Sequence, residues 1–175
     1  MDISIRGALL EDIDDICDVH RAAVHSLAGG PYEGKIINAW SEMITHQEIA
    51  KGMIIAGISG FVAEERNRIV GFAVLFKSSM RALYVHPEYQ KKGIGSKLLV
   101  QMEQEAVLKG VPKLSLSASL NARHFYESHG YHVTGISLFP LTHKVRMECL
   151  EMEKDVRISL TEQLLAGRNY RYLGG

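Results

Sequence analysis

The sequence predicts a single α/β domain, a mixed sheet with helices on its flanks. Three observations carry that prediction. Apolar residues recur at helical spacing around Ile13, Ile16, Val24 and again around Leu98, Leu99, Met102. Short β-branched and aromatic runs stand between and after them, such as Ile69-Val70-Gly71-Phe72 and Leu83-Tyr84-Val85. A glycine-containing turn then joins one such run to the second helix, and a further run, Leu114-Ser115-Leu116-Ser117, follows that helix. A strand, a helix and a strand in that order predict a right-handed parallel crossover.

The elements follow in order. Ile3 and Ile5 alternate with polar neighbours, which predicts a short first strand. A helix is expected over 11–27. Ile13, Ile16, Cys17, Ala23, Val24 and Leu27 share one face, and Glu11, Asp12, Asp14 and Asp15 put negative charge at its positive end. Gly29-Gly30-Pro31 stops it. A second helical stretch is expected over 33–51, with Ile36, Ile37, Trp40, Met43 and Ile44, and 53–60 reads as a loop. Strands over 61–65 and 69–76 flank Arg66-Asn67-Arg68 and predict an antiparallel hairpin. A strand over 80–85 ends at His86-Pro87.

The second half continues the alternation. A helix over 96–109 presents the stripe Ile94, Leu98, Leu99, Met102, Ala106 and closes at Gly110, with Pro112 beyond. After the strand at 114–117, Asn121 is placed to cap a short helix carrying Ala122, Phe125 and Tyr126, which Gly130 ends. Two last strands, 131–139 and 145–153, are joined by 140–144. The expected division is a domain over 1–154 and a C-terminal extension over 155–175. In the extension Ile158, Leu160, Leu164 and Leu165 suit one short helix, and the rest frays.

Composition narrows the partners. A chain of 175 residues, 46% hydrophobic and 23% charged, suits one soluble core. Twenty basic residues balance twenty acidic ones, so no overall field favours nucleic acid, and no nucleic-acid partner is expected. The longest apolar run, 72–76, is far too short to cross a bilayer, so no membrane association is expected. Met1 to Arg6 lack a signal-peptide pattern, which makes a cytoplasmic protein the expectation. Cys17 and Cys149 have neither framework nor zinc spacing and read as reduced packing residues. Among eight histidines, His20/His25 and His124/His129 are five apart and miss the i, i+4 spacing of helical ligand pairs, so no metal is expected. No GxSxG elbow is present.

The most specific stretch is Gln90-Lys91-Lys92-Gly93-Ile94-Gly95-Ser96. Glycines at a helix start let the backbone approach an anion, the first N–H groups point at it, and the dipole favours negative charge there. Lys91 and Lys92 add positive charge. The stretch lacks GxxxxGK[ST], and Leu98 stands where a dinucleotide fingerprint has its third glycine.

In its context, Leu83 to Gly95 resembles the central motif of the GNAT superfamily of N-acetyltransferases. Asn121-Ala122-Arg123-His124-Phe125-Tyr126-Glu127-Ser128-His129-Gly130-Tyr131 is similar to the family's Asn…Phe-Tyr…Gly-aromatic motif, and Phe61 to Phe76 to its "VAE…IVGF" hairpin. The resemblance spans roughly Ile3 to Lys154. It implies a central mixed, mostly antiparallel sheet of about seven strands flanked by about four helices. It implies acetyl-coenzyme A as acyl donor and an amine of a small molecule or peptide as acceptor, with direct transfer and no covalent enzyme intermediate.

By position, the backbone of Leu83, Tyr84 and Val85 would hold the acetyl carbonyl and pantetheine arm. The amides of Gln90, Lys91, Lys92, Gly93, Ile94, Gly95 and Ser96 would hold the pyrophosphate, and Asn121 would touch the pantetheine arm. Tyr126 matches the family's tyrosine near the coenzyme sulfur and is the candidate general acid. Glu64, on the hairpin, is the candidate base, with Glu65 on the opposite face of the strand; alternatively both are simply solvated or paired. Where some members carry a glutamate on the central strand this chain has Ser79 or a nearby small residue, so a water chain is the alternative to a carboxylate base. Trp40 and Tyr32 either border the acceptor site or simply pack. A non-catalytic acyl-coenzyme A binding module, or an acyl group longer than acetyl, stays open, and the tail makes a homodimer plausible.

Overall fold

The computed structural model describes residues 2–55 and 57–157. Seven strands form one sheet in the order β1-β2-β3-β4-β5-β7-β6: β1 (Ser4–Gly7), β2 (Ile58–Glu65), β3 (Arg68–Phe76), β4 (Ser79–Val85), β5 (Lys113–Ser119), β6 (His132–Pro140) and β7 (Arg146–Asp155). Five α-helices accompany them: α1 (Ile13–His25), α2 (Gly34–Ser41), α3 (His46–Met53), α4 (Ile94–Leu108) and α5 (Arg123–Ser128). Every neighbouring pair is antiparallel except β4 and β5, which run parallel.

The helices cover both faces because strand neighbours point opposite ways. Val62 and Phe72 join Ile16 and Val19 of α1, whereas Ala63 and Ala73 join Leu98, Leu99 and Met102 of α4. Two crosslinks tie the halves of the sheet together. Lys154 of β7 makes a bidentate, nearly buried ion pair with Glu103 of α4, at 2.8 and 2.9 Å. The Tyr32 hydroxyl, in the turn between α1 and α2, donates to the Glu148 carbonyl and accepts from the Leu120 N–H, both at 2.8 Å.

The sequence reading is corrected in three places. The single helix expected over 33–51 is two, because Thr45 starts α3 with a reciprocal capping box: its hydroxyl accepts from the Glu48 N–H while the Glu48 carboxylate accepts from the Thr45 N–H. Residues Ile58 to Gly60, expected in a loop, pair with Val74 to Phe76 and belong to β2. Asn121 makes no capping bond and lies within a 3₁₀ turn, Leu120–Ala122. At the end of the described residues β7 runs to Asp155, and Val156 is fully buried with its N–H on the Pro112 carbonyl at 2.9 Å. The short helix expected from Ile158 onward lies outside the described residues.

Candidate active site

The site begins with a broken ladder. β4 and β5 pair only at Ser79↔Ser115 and Met80↔Leu116. On its other side β4 carries a bulge: Val74 opposes Ala82 and Leu75 opposes Met80, leaving Arg81 as the extra residue. A bulge bends its strand and sharpens the local twist. Here it falls directly after the last β4–β5 pair, and from Arg81 to Val85 β4 has no β5 partner. The two halves of the sheet therefore spread into a cleft.

The cleft is lined from both faces of the sheet. Leu83, Asn121 and Tyr126 border it on the α4–α5 side, and Trp40, Met43 and Met147 on the α1–α2 side. Its volume of about 200 Å³ suits the end of a ligand better than the whole of a long one. Gln90 marks the end nearest α4, and its side-chain amide donates to the Val85 carbonyl at 3.2 Å.

Tyr126 reaches the apex of the opening. It is buried, and its hydroxyl lies 3.9 Å from the sulfur of Met80, the last paired residue of β4. Burial, with Tyr84 nearby, raises its pKa further above the ordinary phenol value, at which the hydroxyl already carries its proton at neutral pH. Tyr84 points the other way. Its ring stacks on Phe72 (5.4 Å between centroids) and meets His20 edge-on at 4.7 Å, and its hydroxyl accepts from Trp40 Nε1 at 2.9 Å. Desolvation pushes its pKa up to about 12. The Tyr84 side chain thus fixes the wall of the cleft on the α1–α2 side, while its backbone lies where β4 has no β5 partner.

In the loop at the start of α4 the two glycines differ in role. Gly93 is the N-cap of α4 with φ +79°, a left-handed conformation, and a Cβ there would meet open space. At Gly95 a Cβ would lie 3.3 Å from the Phe125 ring, so this glycine lets α4 and α5 approach. Lys91 also has positive φ and is exposed. Lys92 is engaged locally: its ammonium donates to the Glu88 carbonyl at 2.7 Å and lies 4.9 Å from the Tyr89 ring centre. Ser96 bonds His129 Nε2 at 2.9 Å, and His129 Nδ1 lies 2.7 Å from the Phe125 carbonyl. Among the described residues no side chain caps α4, and the first N–H groups of a helix have no intrahelical partner.

Glu64 is placed elsewhere. Its carboxylate accepts from Arg6 Nε at 2.6 Å, in a cluster where Arg6 also holds Asp12 at 2.7 and 2.8 Å, and it does not line the cleft. The reason is tertiary: β1 lies beside β2, and register opposes Ser4 to Glu64, two residues from Arg6. Tyr32 is likewise a crosslink rather than a lining residue, whereas Trp40 does line the cleft. Cys149, read from sequence as packing, is buried yet borders the cleft, and burial pushes its thiol up to about 11. Ser117 and Ser119 of β5 also line it. Their strand alternation is legible in the sequence, and the family resemblance implies a splay of the strand at Leu83 to Val85; that this splay also exposes the two serines of β5 follows from the structure. Among the described residues no His, Cys, Asp and Glu group suits a metal ion, and no helix is long and apolar enough to cross a membrane.

Known proteins match this geometry. A family model for the acetyltransferase (GNAT) domain matches residues 28–156. An uncharacterized N-acetyltransferase, YafP, of Escherichia coli K12 is 27% identical over 132 residues, 74% of this chain and 81% of that protein. A spermidine N(1)-acetyltransferase of Thermoplasma acidophilum is 27% identical over 145 residues, 76% of this chain and 90% of its own. Among solved structures, a GCN5-related N-acetyltransferase from Rhodopseudomonas palustris superposes with TM-score 0.80 at 25% identity, covering 89% of this chain and 98% of that one. The PaiA N-acetyltransferase of Thermoplasma acidophilum, solved with coenzyme A, gives 0.75 at 24% identity, covering 89% and 99%. With a split sheet, a buried tyrosine at its apex and a family match over most of its length, the chain belongs to the GNAT acetyltransferases.

Proposed function

We propose that this protein moves an acetyl group from acetyl-coenzyme A to an amine of a small molecule or peptide by direct transfer. The observation that carries the reading is the separation of β4 from β5 after Met80 and Leu116, with the Tyr126 hydroxyl at its apex. The backbone of Leu83, Tyr84 and Val85 would take the acetyl carbonyl and pantetheine arm, and Asn121 would flank the arm. The amides from Gln90 through Lys91, Lys92, Gly93, Ile94 and Gly95 to Ser96 would take the pyrophosphate. Structural neighbours solved with coenzyme A and with acetyl-coenzyme A support this donor.

The chemistry is a proton balance. The attacking amine must be neutral, and the departing sulfur leaves more easily if it is protonated. Tyr126, which carries its proton at neutral pH, is the group to supply that proton. The acceptor end of the cleft carries the apolar side chains of Leu27, Met43, Phe139 and Met147 beside the hydroxyls of Ser117 and Ser119, and among the described residues no carboxylate lines it. That lining favours an amine carried on an apolar body over a polyamine, the substrate class named for one relative.

Titration calorimetry with acetyl-coenzyme A and with free coenzyme A tests the donor, and a panel of aryl-alkyl amines, apolar amino-acid amides and polyamines tests the acceptor. Micromolar donor binding with acetylation of apolar amines is expected. Binding without turnover of any amine would favour the non-catalytic binding module. Absence of binding would remove the coenzyme A assignment.

A further inference from the structure

We propose that Glu151, acting through the hydroxyl of Ser117, receives the proton that the acceptor amine must lose. The inference rests on the acetyl-transfer reading above. It assigns the base function to a strand of the C-terminal half of the sheet.

Ser117 is the β5 residue immediately after Leu116, the last to pair with β4. It therefore stands where the sheet opens, and it lines the cleft. Leu116 points into the core beside α4, so strand alternation turns Ser117 to the other face, the face of Trp40 and Cys149. Tyr126 approaches the same opening from the α4–α5 side, through Met80. An acid and a proton acceptor thus reach one point from opposite faces.

The partner of Ser117 is set by register. β5 and β7 oppose Ser117 to Glu151, and Ser117 Oγ donates to Glu151 Oε1 at 2.8 Å. Ser137 of β6 donates to the same carboxylate oxygen. Two hydroxyls from the flanking strands thereby fix the carboxylate's orientation. A hydroxyl that gives its proton to a carboxylate still has lone pairs with which to accept. In Ser117 those lone pairs are available to an N–H in the cleft, so a continuous path runs from amine to Ser117 to Glu151.

The step balances as follows. The ammonium gives one proton to Ser117 Oγ while Ser117 passes its own to Glu151, which becomes a neutral acid. The freed nitrogen lone pair bonds to the thioester carbonyl carbon. The carbon–sulfur bond then breaks, and the sulfur takes the proton of Tyr126. The nitrogen's second proton returns through solvent to Tyr126, and Glu151 releases the first to solvent.

Among the described residues, the groups facing Glu151 are few. Along β7 the Cys149 thiol lies on one side. Glu153 lies on the other, paired with Lys113 at 2.8 Å and His132 at 3.4 Å. From β5 and β6 the two serine hydroxyls bond its carboxylate, and Thr134 Oγ1 donates to its backbone carbonyl at 3.2 Å.

The test is the pH profile of kcat/KM for the best acceptor, measured on the full chain for wild type, Glu151→Gln, Glu151→Asp and Ser117→Ala. Donor affinity is measured alongside by calorimetry. Glu151→Gln and Ser117→Ala are expected to lower kcat/KM about ten- to a hundredfold at neutral pH. The deficit should shrink as pH rises toward the amine's own pKa, with donor affinity unchanged and Glu151→Asp intermediate. Wild-type profiles in the variants, or one constant reduction at every pH, would overturn the proposal, since a structural role predicts the latter. Wild-type protein that binds acetyl-coenzyme A yet acetylates no amine would instead overturn the acetyl-transfer reading, and this inference with it.

Discussion

The Tyr126 hydroxyl sits 3.9 Å from the Met80 sulfur, with Met80 opposite Leu116 in the last pair that joins β4 to β5. A thioether is a weak acceptor, so among the described residues the hydroxyl has no strong partner, and it is aimed at the opening of the sheet. Tyr126→Phe should therefore cost little stability, below about 1 kcal/mol. It should lower kcat by roughly tenfold to a thousandfold while donor affinity holds within a factor of about two. Calorimetry and initial rates on the same preparation check both parts, and full activity would remove Tyr126 from the acid role.

The two loop glycines should separate when substituted. Gly93→Ala forces a left-handed conformation on a side chain that has room, so it should cost about 1–2 kcal/mol and weaken the donor modestly. Gly95→Val meets the Phe125 ring at 3.3 Å and pushes α5, with Tyr126 on it, away from α4. It should reduce kcat as well as raising the donor KM. Steady-state kinetics with denaturant melts distinguish the two patterns.

Tyr32 joins a turn of the N-terminal half to β7 and to the start of the 3₁₀ turn that precedes α5. Tyr32→Phe leaves one carbonyl and one N–H without that partner, a loss of roughly 2–4 kcal/mol. Thermal unfolding should shift down by several degrees. An unchanged melting temperature would show that water replaces the hydroxyl without cost.

His20 gives a pH prediction. It is fully buried, neither ring nitrogen has a hydrogen-bond partner among the described residues, and desolvation lowers its pKa to about 4 from the ordinary 6.5. The unfolded chain binds the proton more readily, so stability should be full above about pH 6.5 and fall as pH drops toward 4. The loss is at most on the order of 3 kcal/mol. His20→Phe should flatten that limb. Asp12, held low by its bonds to Arg6, acts in a lower window, below the ordinary carboxylate pKa, and should be untouched by the substitution. Urea unfolding between pH 4 and 7 reads the difference.

By itself the sequence determined the elements that depend on neighbours along the chain. The α4 stripe, the turn at Gly93 and the hairpin β2–β3 follow from local conformational preference and periodicity, and the structure has them within a few residues. The Thr45–Glu48 capping box was equally local and could have divided the helix expected over 33–51. What only the tertiary structure decided is which side chains share the cleft. Glu64 is drawn away because β1 delivers Arg6 to it, across 58 positions of chain. Ser117 meets Glu151, 34 positions away, because β7 inserts between β5 and β6. Strand pairing over such separations is set by the burial of whole faces of the sheet, a sum over the fold that no local window contains.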